Sequence, residues 1–182
     1  KNLRVRPSSD ENKIVTNAKK HFEKTLVEIS GELVGSVAAL EHPTKNKKLN
    51  YGEIFLRDNV PVMIYLITQK RYEIVKRFLS VCLELQSTNY QTRGVFPTSF
   101  VEENGKLIGD YGQRSIGRIT SADASLWWPI LCWYYVNKSG DFAFGKSQSV
   151  QRGIQLLLDL VLHPTFEGTP VLFVPDCAFM ID

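Results

Sequence analysis

Cysteine is scarce and scattered in this chain: Cys82, Cys132 and Cys177 are an odd three in 182 residues, with no CxxC pair. That spacing argues against a disulfide framework or a zinc knuckle, and reduced core thiols of a cytosolic protein are the expectation. Long hydrophobic runs are missing too. No window approaches the roughly 18 consecutive apolar residues of a membrane span. The opening Lys-Asn-Leu-Arg-Val-Arg lacks the apolar stretch of a secretory signal, so a soluble, cytoplasmic chain with no membrane partner is expected. Nor is there a strong excess of one charge, with 22 Lys and Arg against 19 Asp and Glu. The basic surplus lies in residues 1–50, with 10 basic against 6 acidic side chains, and Lys45, Lys47 and Lys48 read as a solvated loop. A nucleic-acid footprint would need a denser basic face interleaved with aromatics, so no nucleic-acid partner is expected. His21, His42 and His163 stand in no metal-ligand spacing such as HExxH, and neither a GxSxG elbow nor a Walker loop occurs.

What is present is enough apolar material for a core: 43% hydrophobic residues against 23% charged. The length fits one domain or a piece of a larger one. The chain has no initiator Met and stops at Asp182, directly after the apolar run Ala178 to Ile181. Residues 1–182 are therefore expected to be the N-terminal portion of a single domain, cut after Asp182.

Helical periodicity dominates. Ser8 to Glu11 fits a capping box, and Ile14, Ala18, Phe22, Leu26 and Ile29 predict a helix of about 20 residues that Gly31 and Gly35 end. Asn59 followed by Pro61 reads as a cap and a first-turn proline, opening a short helix that stops near Gln69. Between Arg71 and Gln86, Ile74, Phe78, Cys82 and Leu85 line one helical face. From Ser87 to Ser121 periodicity disappears, with one hairpin expected around Glu103-Asn104-Gly105. A nearly all-apolar helix follows through Leu126, Trp127, Leu131, Trp133 and Tyr134, capped by Ser121 or Asp123. The last helix is expected from about Ser147 to Leu162, with Val150, Ile154, Leu157, Leu158 and Val161 facing inward, and with a β-like run after it at Val171 to Val174.

Three places could carry chemistry. Arg57 and Asp58 stand just before a predicted helix start, where a carboxylate is favoured by the helix dipole and can accept from two adjacent sugar hydroxyls. Read plainly, Asp58 is a helix cap paired with Arg57. Asp123 and Trp127 are four apart and share a helix face, and Trp128 follows, so an acid and an aromatic plane can meet in one cavity as carbohydrate sites require. The other reading makes the tryptophans core and Asp123 an N-cap. Asp176 and Asp182 flank an apolar run, where partial desolvation would raise a carboxyl pKa toward that of a general acid. An aspartate at a strand end is also an ordinary turn residue.

The combination resembles a known family. Leu49-Asn50-Tyr51, Phe55-Leu56-Arg57-Asp58 with Val60-Pro61, Asp110-Tyr111-Gly112 with Ser115-Ile116-Gly117-Arg118, Asp123, Leu126-Trp127-Trp128 and Met180-Ile181-Asp182 are similar to the alkaline/neutral invertases of glycoside hydrolase family 100. The resemblance runs from about residue 12 to the end. It implies an all-α fold, part of an (α/α)6 toroid with long loops and short β segments at the rim, and hydrolysis of sucrose to glucose and fructose with inversion. No metal and no organic cofactor is implied. It makes Asp182 the catalytic acid, makes Arg57, Asp58, Asp123, Trp127 and Trp128 the lining of the sugar pocket, and puts the general base, a glutamate, outside residues 1–182. The isolated chain is then expected to be inactive, with an apolar inner face around Trp127 and Tyr134 that invites association into a homo-oligomer. Gln113 and Arg114 depart from the family's usual acidic and small residues, which bears on the rim and on substrate preference. A glycosidase on another glycoside, or a sugar-binding or interaction module without turnover, are the alternatives.

Overall fold

A computed structural model describes residues 9–37, 51–89, 93–111, 119–121, 123–162 and 178–180. The elements in chain order are α1 (Ser9–Glu23), β1 (Leu26–Ile29), β2 (Glu32–Ser36), β3 (Ile54–Phe55), α2 (Leu56–Thr68), α3 (Tyr72–Glu84), β4 (Ser99–Glu103), β5 (Lys106–Asp110), β6 (Ile119–Ser121), α4 (Ala124–Ser139), α5 (Phe142–Gly145), α6 (Gln148–Val161) and β7 (Ala178–Met180). The expectation of an all-α fold within an (α/α)6 toroid is corrected: the described residues are mixed α and β. Two antiparallel sheets, β1-β2 and β3-β4-β5, and one parallel pair, β6-β7, accompany the helices.

The correction has a local cause at each sheet. The helix expected to reach Ile29 stops at Glu23, because Ser30 and Gly31 take positive φ angles of 54° and 82° and fold Leu26–Ile29 back on Glu32–Ser36. Two consecutive left-handed residues suit the twist of a two-residue hairpin. Asn104 and Gly105, at φ 53° and 73°, do the same between β4 and β5, and this hairpin is the one the sequence announces. The β4-β5 ladder occupies much of the stretch where helical spacing is absent.

Burial supplies the rest. α2 packs against both α3 and α4, and α3 lies over β2. Leu56, Met63 and Leu66 from α2, Ile74, Phe78 and Leu79 from α3, Trp128 and Leu131 from α4, and Phe96 and Phe100 form one continuous core. On α6 the buried row is Val150, Gly153, Leu157 and Leu160. Leu158, expected inward, is exposed: it lies a helical step off that row. α4 keeps its apolar character on both sides, burying Trp128, Leu131, Cys132 and Tyr135 while leaving Leu126, Ile130 and Trp133 exposed. Cys82 and Cys132 are free and buried, and burial pushes both thiols up, Cys132 to about 11, so neither is a reactive thiolate. Among the described residues no helix is long and apolar enough to cross a membrane.

A polar knot closes the corner between α3, α4 and α5. Asp141 Oδ2 accepts from Lys76 Nζ at 2.8 Å and from the Tyr135 hydroxyl at 3.0 Å, while Oδ1 accepts from Phe144 N at 3.0 Å and caps α5. The Lys76 ammonium, then the Phe144 amide, hold the Asp141 carboxyl below its ordinary value. A carboxylate lowered in the folded state contributes stability above its unfolded pKa of about 3.9, and that stability is lost as pH falls through the folded value. Asp141→Ala is expected to cost about 1–2 kcal/mol at pH 7 through the lost cap and charge-assisted bonds, with the deficit shrinking below pH 4. Urea unfolding of both proteins at pH 7 and pH 3 checks it; a gap that does not narrow at pH 3 would refute the charged role.

Candidate functional site

The β3-α2 junction is built so that its polar residues face outward on a rigid support. Phe55, at φ −82° and ψ 131°, turns the chain from strand into helix, and Leu56 N donates to Thr98 O at 2.9 Å. Leu56, Val60 and Met63 are buried, which leaves the intervening Arg57 and Asp58 at the surface of the first turn. The helix therefore begins four residues earlier than Asn59 as a cap requires. Asn59 lies inside it, and Asp58 stands in the first turn, where the dipole favours its charge.

Asp123 immediately precedes α4, yet its side chain makes no cap bond. Its carboxylate is shared instead: Oδ1 lies 3.6 Å from Arg57 Nη1, and Oδ2 accepts from Trp127 Nε1 at 3.0 Å. Arg57 is 26% and Asp123 45% exposed at the side chain, and Trp127 is 36% exposed. The i to i+4 spacing brings Asp123 under the Trp127 indole, as the sequence spacing predicts. A cation, a carboxylate and an indole plane thus meet at the surface between the N-terminal turns of α2 and α4.

Asp58 and Trp128, each next in the chain to a member of this cluster, adjoin it without being part of it. Asp58 faces a cleft of about 220 Å³ lined by Ser36, Val37, Asp58, Asn59 and Val62, beside β2. Trp128 is fully buried, donates from Nε1 to Leu79 O at 3.1 Å and stacks on Phe96 with ring centroids 4.7 Å apart. It lies behind the Arg57–Asp123–Trp127 cluster, in the core. Asp182 and Asp176, like Gln113 and Arg114, lie outside the described residues. β7 runs parallel to β6, with Met180 opposite Ser121.

Two buried carboxylates stand at the β3-β4-β5 sheet: Asp110, which the sequence reading includes in Asp110-Tyr111-Gly112, and Glu53, which it does not single out. Glu53 Oε2 accepts from Ser99 Oγ at 2.6 Å, and Asp110 is paired in register with Ser99 across the β4-β5 ladder. Glu53 is 7% and Asp110 1% exposed. The alternation of β3 and β4 would have placed Glu53, Phe55 and Ser99 on one face, but β3 is two residues long and leaves no such pattern to read. The Tyr111 hydroxyl next to Asp110 donates to Leu85 O, and burial raises its pKa. Among the described residues no group of three His, Cys, Asp or Glu is placed to hold a metal ion.

An arginine, a carboxylate and an exposed indole are the components of a carbohydrate-binding surface, offering charged hydrogen bonds to hydroxyls and an apolar plane to a ring's C–H face. Residues 18–182 match the family model described as alkaline and neutral invertase, and the chain belongs to that family, glycoside hydrolase family 100. It is 32% identical over 192 residues to Alkaline/neutral invertase CINV2 of Arabidopsis thaliana, a match covering 99% of this chain and 34% of that protein. It is 36% identical over 176 residues to Neutral/alkaline invertase 1, mitochondrial, of Oryza sativa subsp. japonica, covering 87% and 28%. Cytosolic invertase 1 of the same rice is 32% identical over 181 residues, covering 93% and 32%. The chain thus spans about a third of the length of these relatives.

Proposed function

We propose that the protein carrying this chain hydrolyses sucrose to glucose and fructose with inversion, and that residues 1–182 are the N-terminal portion of its catalytic domain. The observation that carries the reading is the Arg57–Asp123–Trp127 cluster on a chain of the invertase family. Arg57 in the cluster and Asp58 in the adjoining cleft beside β2 bind sugar hydroxyls, Asp123 fixes the Arg57 guanidinium and the Trp127 indole, and that indole stacks on the ring. Trp128 belongs to the same site as its support, holding α4 against Phe96 beneath the exposed tryptophan. Asp182 donates the proton to the glycosidic oxygen.

An inverting enzyme needs a second carboxylate, roughly 6.5–9.5 Å from the acid, to activate water on the opposite face of the sugar. That base is expected outside this chain, in the part of the protein that the relatives' additional length represents. Cytosolic residence is part of the proposal, supported by the likeness to Cytosolic invertase 1 of rice, although other relatives are named mitochondrial or chloroplastic.

The test uses the protein as its gene encodes it, with everything beyond residue 182 included. Offered a panel of disaccharides and simple glycosides, it is expected to cleave sucrose, and NMR of the first-formed hexose is expected to show the anomer opposite to that in the substrate. Sucrose left intact while another glycoside is cleaved would overturn the substrate, and retention would overturn the two-carboxylate mechanism.

A further inference from the structure

Asn59 is almost wholly buried on the fourth residue of α2, and its side-chain amide is bound at every polar position. Oδ1 accepts from Ser36 N at 2.7 Å, while Nδ2 donates to Ser36 O at 2.8 Å and to Phe55 O at 2.8 Å. Acceptor and donor therefore engage the two backbone groups of one residue at the end of β2, as a neighbouring strand would. A primary amide presents both functions side by side at this length, which no carboxylate or hydroxyl does. The seat also demands close approach: a Cβ at Gly35 would stand 3.0 Å from Asn59 Oδ1 and 2.8 Å from Ile54 Cγ2. Helix capping explains none of this, since the helix begins at Leu56.

The clamp lies directly beneath the residues assigned to the sugar. Asn59 ties α2 to Ser36 on one side and to Phe55 O on the other, and Leu56 N is held by Thr98 O, so both ends of the segment bearing Arg57 and Asp58 are fixed. Asn59, Ser36 and Asp58 line the same cleft of about 220 Å³. We propose that Asn59, seated on Gly35 and Ser36, is the positioning residue that sets Arg57 and Asp58 against sugar hydroxyls. The inference rests on the sugar-binding reading of those two residues. Hydrogen bonds to hydroxyls tolerate only small displacements, so loosening this turn costs affinity without removing any group that touches the ligand.

The experiment compares Asn59→Ala and Gly35→Ala with Arg57→Ala and Asp58→Ala, alone and combined with Asn59→Ala, in the protein as encoded. Asn59→Ala and Gly35→Ala are each expected to raise the sucrose KM roughly 10- to 100-fold while the protein still unfolds cooperatively above the assay temperature. The separating readout is the combination. In the Asp58→Ala and Arg57→Ala backgrounds the KM penalty of Asn59→Ala is expected to shrink to about twofold or less, whereas its lowering of Tm persists in full. A penalty undiminished in both backgrounds, or an unchanged KM in a folded Asn59→Ala, overturns the positioning role. If Arg57→Ala and Asp58→Ala themselves leave KM unchanged, the sugar-site reading fails and this inference falls with it; if they raise KM and Asn59→Ala does not, only this inference falls. Should Asn59→Ala not fold, Asn59→Asp decides: its buried carboxyl regains one donor when protonated, so its KM relative to wild type is expected to recover as pH is lowered. No recovery in a folded Asn59→Asp overturns the proposal.

Discussion

Trp128→Ala is expected to cost about 3–5 kcal/mol of folding stability, the range for emptying a fully buried large aromatic site. Typical domains hold only about 5–15 kcal/mol, so much of the margin would go. Three contributions combine: the apolar area of an indole with no exposure, the stack on Phe96 at 4.7 Å and 14°, and the Nε1 donation to Leu79 O that ties α4 to α3. Trp127→Ala is expected to change stability by about 1 kcal/mol or less, since its indole is 36% exposed, yet to weaken sucrose binding. Urea unfolding monitored by fluorescence, together with sucrose KM, measures the contrast. Equal destabilisation by the two substitutions would show that the exposed indole is as much a core residue as its neighbour.

This pair also shows what the sequence could disclose. Adjacent helical residues point about 100° apart, and here one tryptophan of the pair faces the surface while the other is in the core. The motif Leu126-Trp127-Trp128 does not say which, because α4 is apolar on both faces and carries no polar stripe to orient it. Where one face is polar, the reading succeeds: Ile74, Phe78 and Cys82 of α3 are buried as their spacing predicts, and Asn104-Gly105 turns the hairpin it announces. The failure at α1 is instructive. Leu26 and Ile29 continue the helical spacing of Ile14, Ala18 and Phe22 by coincidence, and only the left-handed turn at Ser30 and Gly31 reveals that they belong to a strand. Asn59 reads as a cap for a related reason, since Asn ahead of Pro is a capping signature, and no local pattern reports that a distant strand needs an amide. The Asp123–Trp127 contact, being local in sequence, was legible; its ion pair with Arg57, 66 positions away, depends on how α2 and α4 pack.

The largest effect on turnover is expected at Asp182. Asparagine preserves the size and most of the hydrogen bonding of the carboxyl but has no proton to give, so Asp182→Asn in the encoded protein is expected to lower kcat for sucrose by about 10²–10⁴-fold with little change in KM. Asp182 rather than Asp176 is the acid that the resemblance of Met180-Ile181-Asp182 to the invertases implies. Loss of a proton donor leaves a further signature. A glycosyl fluoride departs without needing a proton, so the same variant is expected to lose far less on that substrate than on sucrose, whereas a misfolded or displaced site would lose equally on both. Initial rates on the two substrates decide the matter. Ordinary turnover of sucrose by Asp182→Asn would remove Asp182 from the mechanism, and an equal loss on both substrates would make it a structural residue.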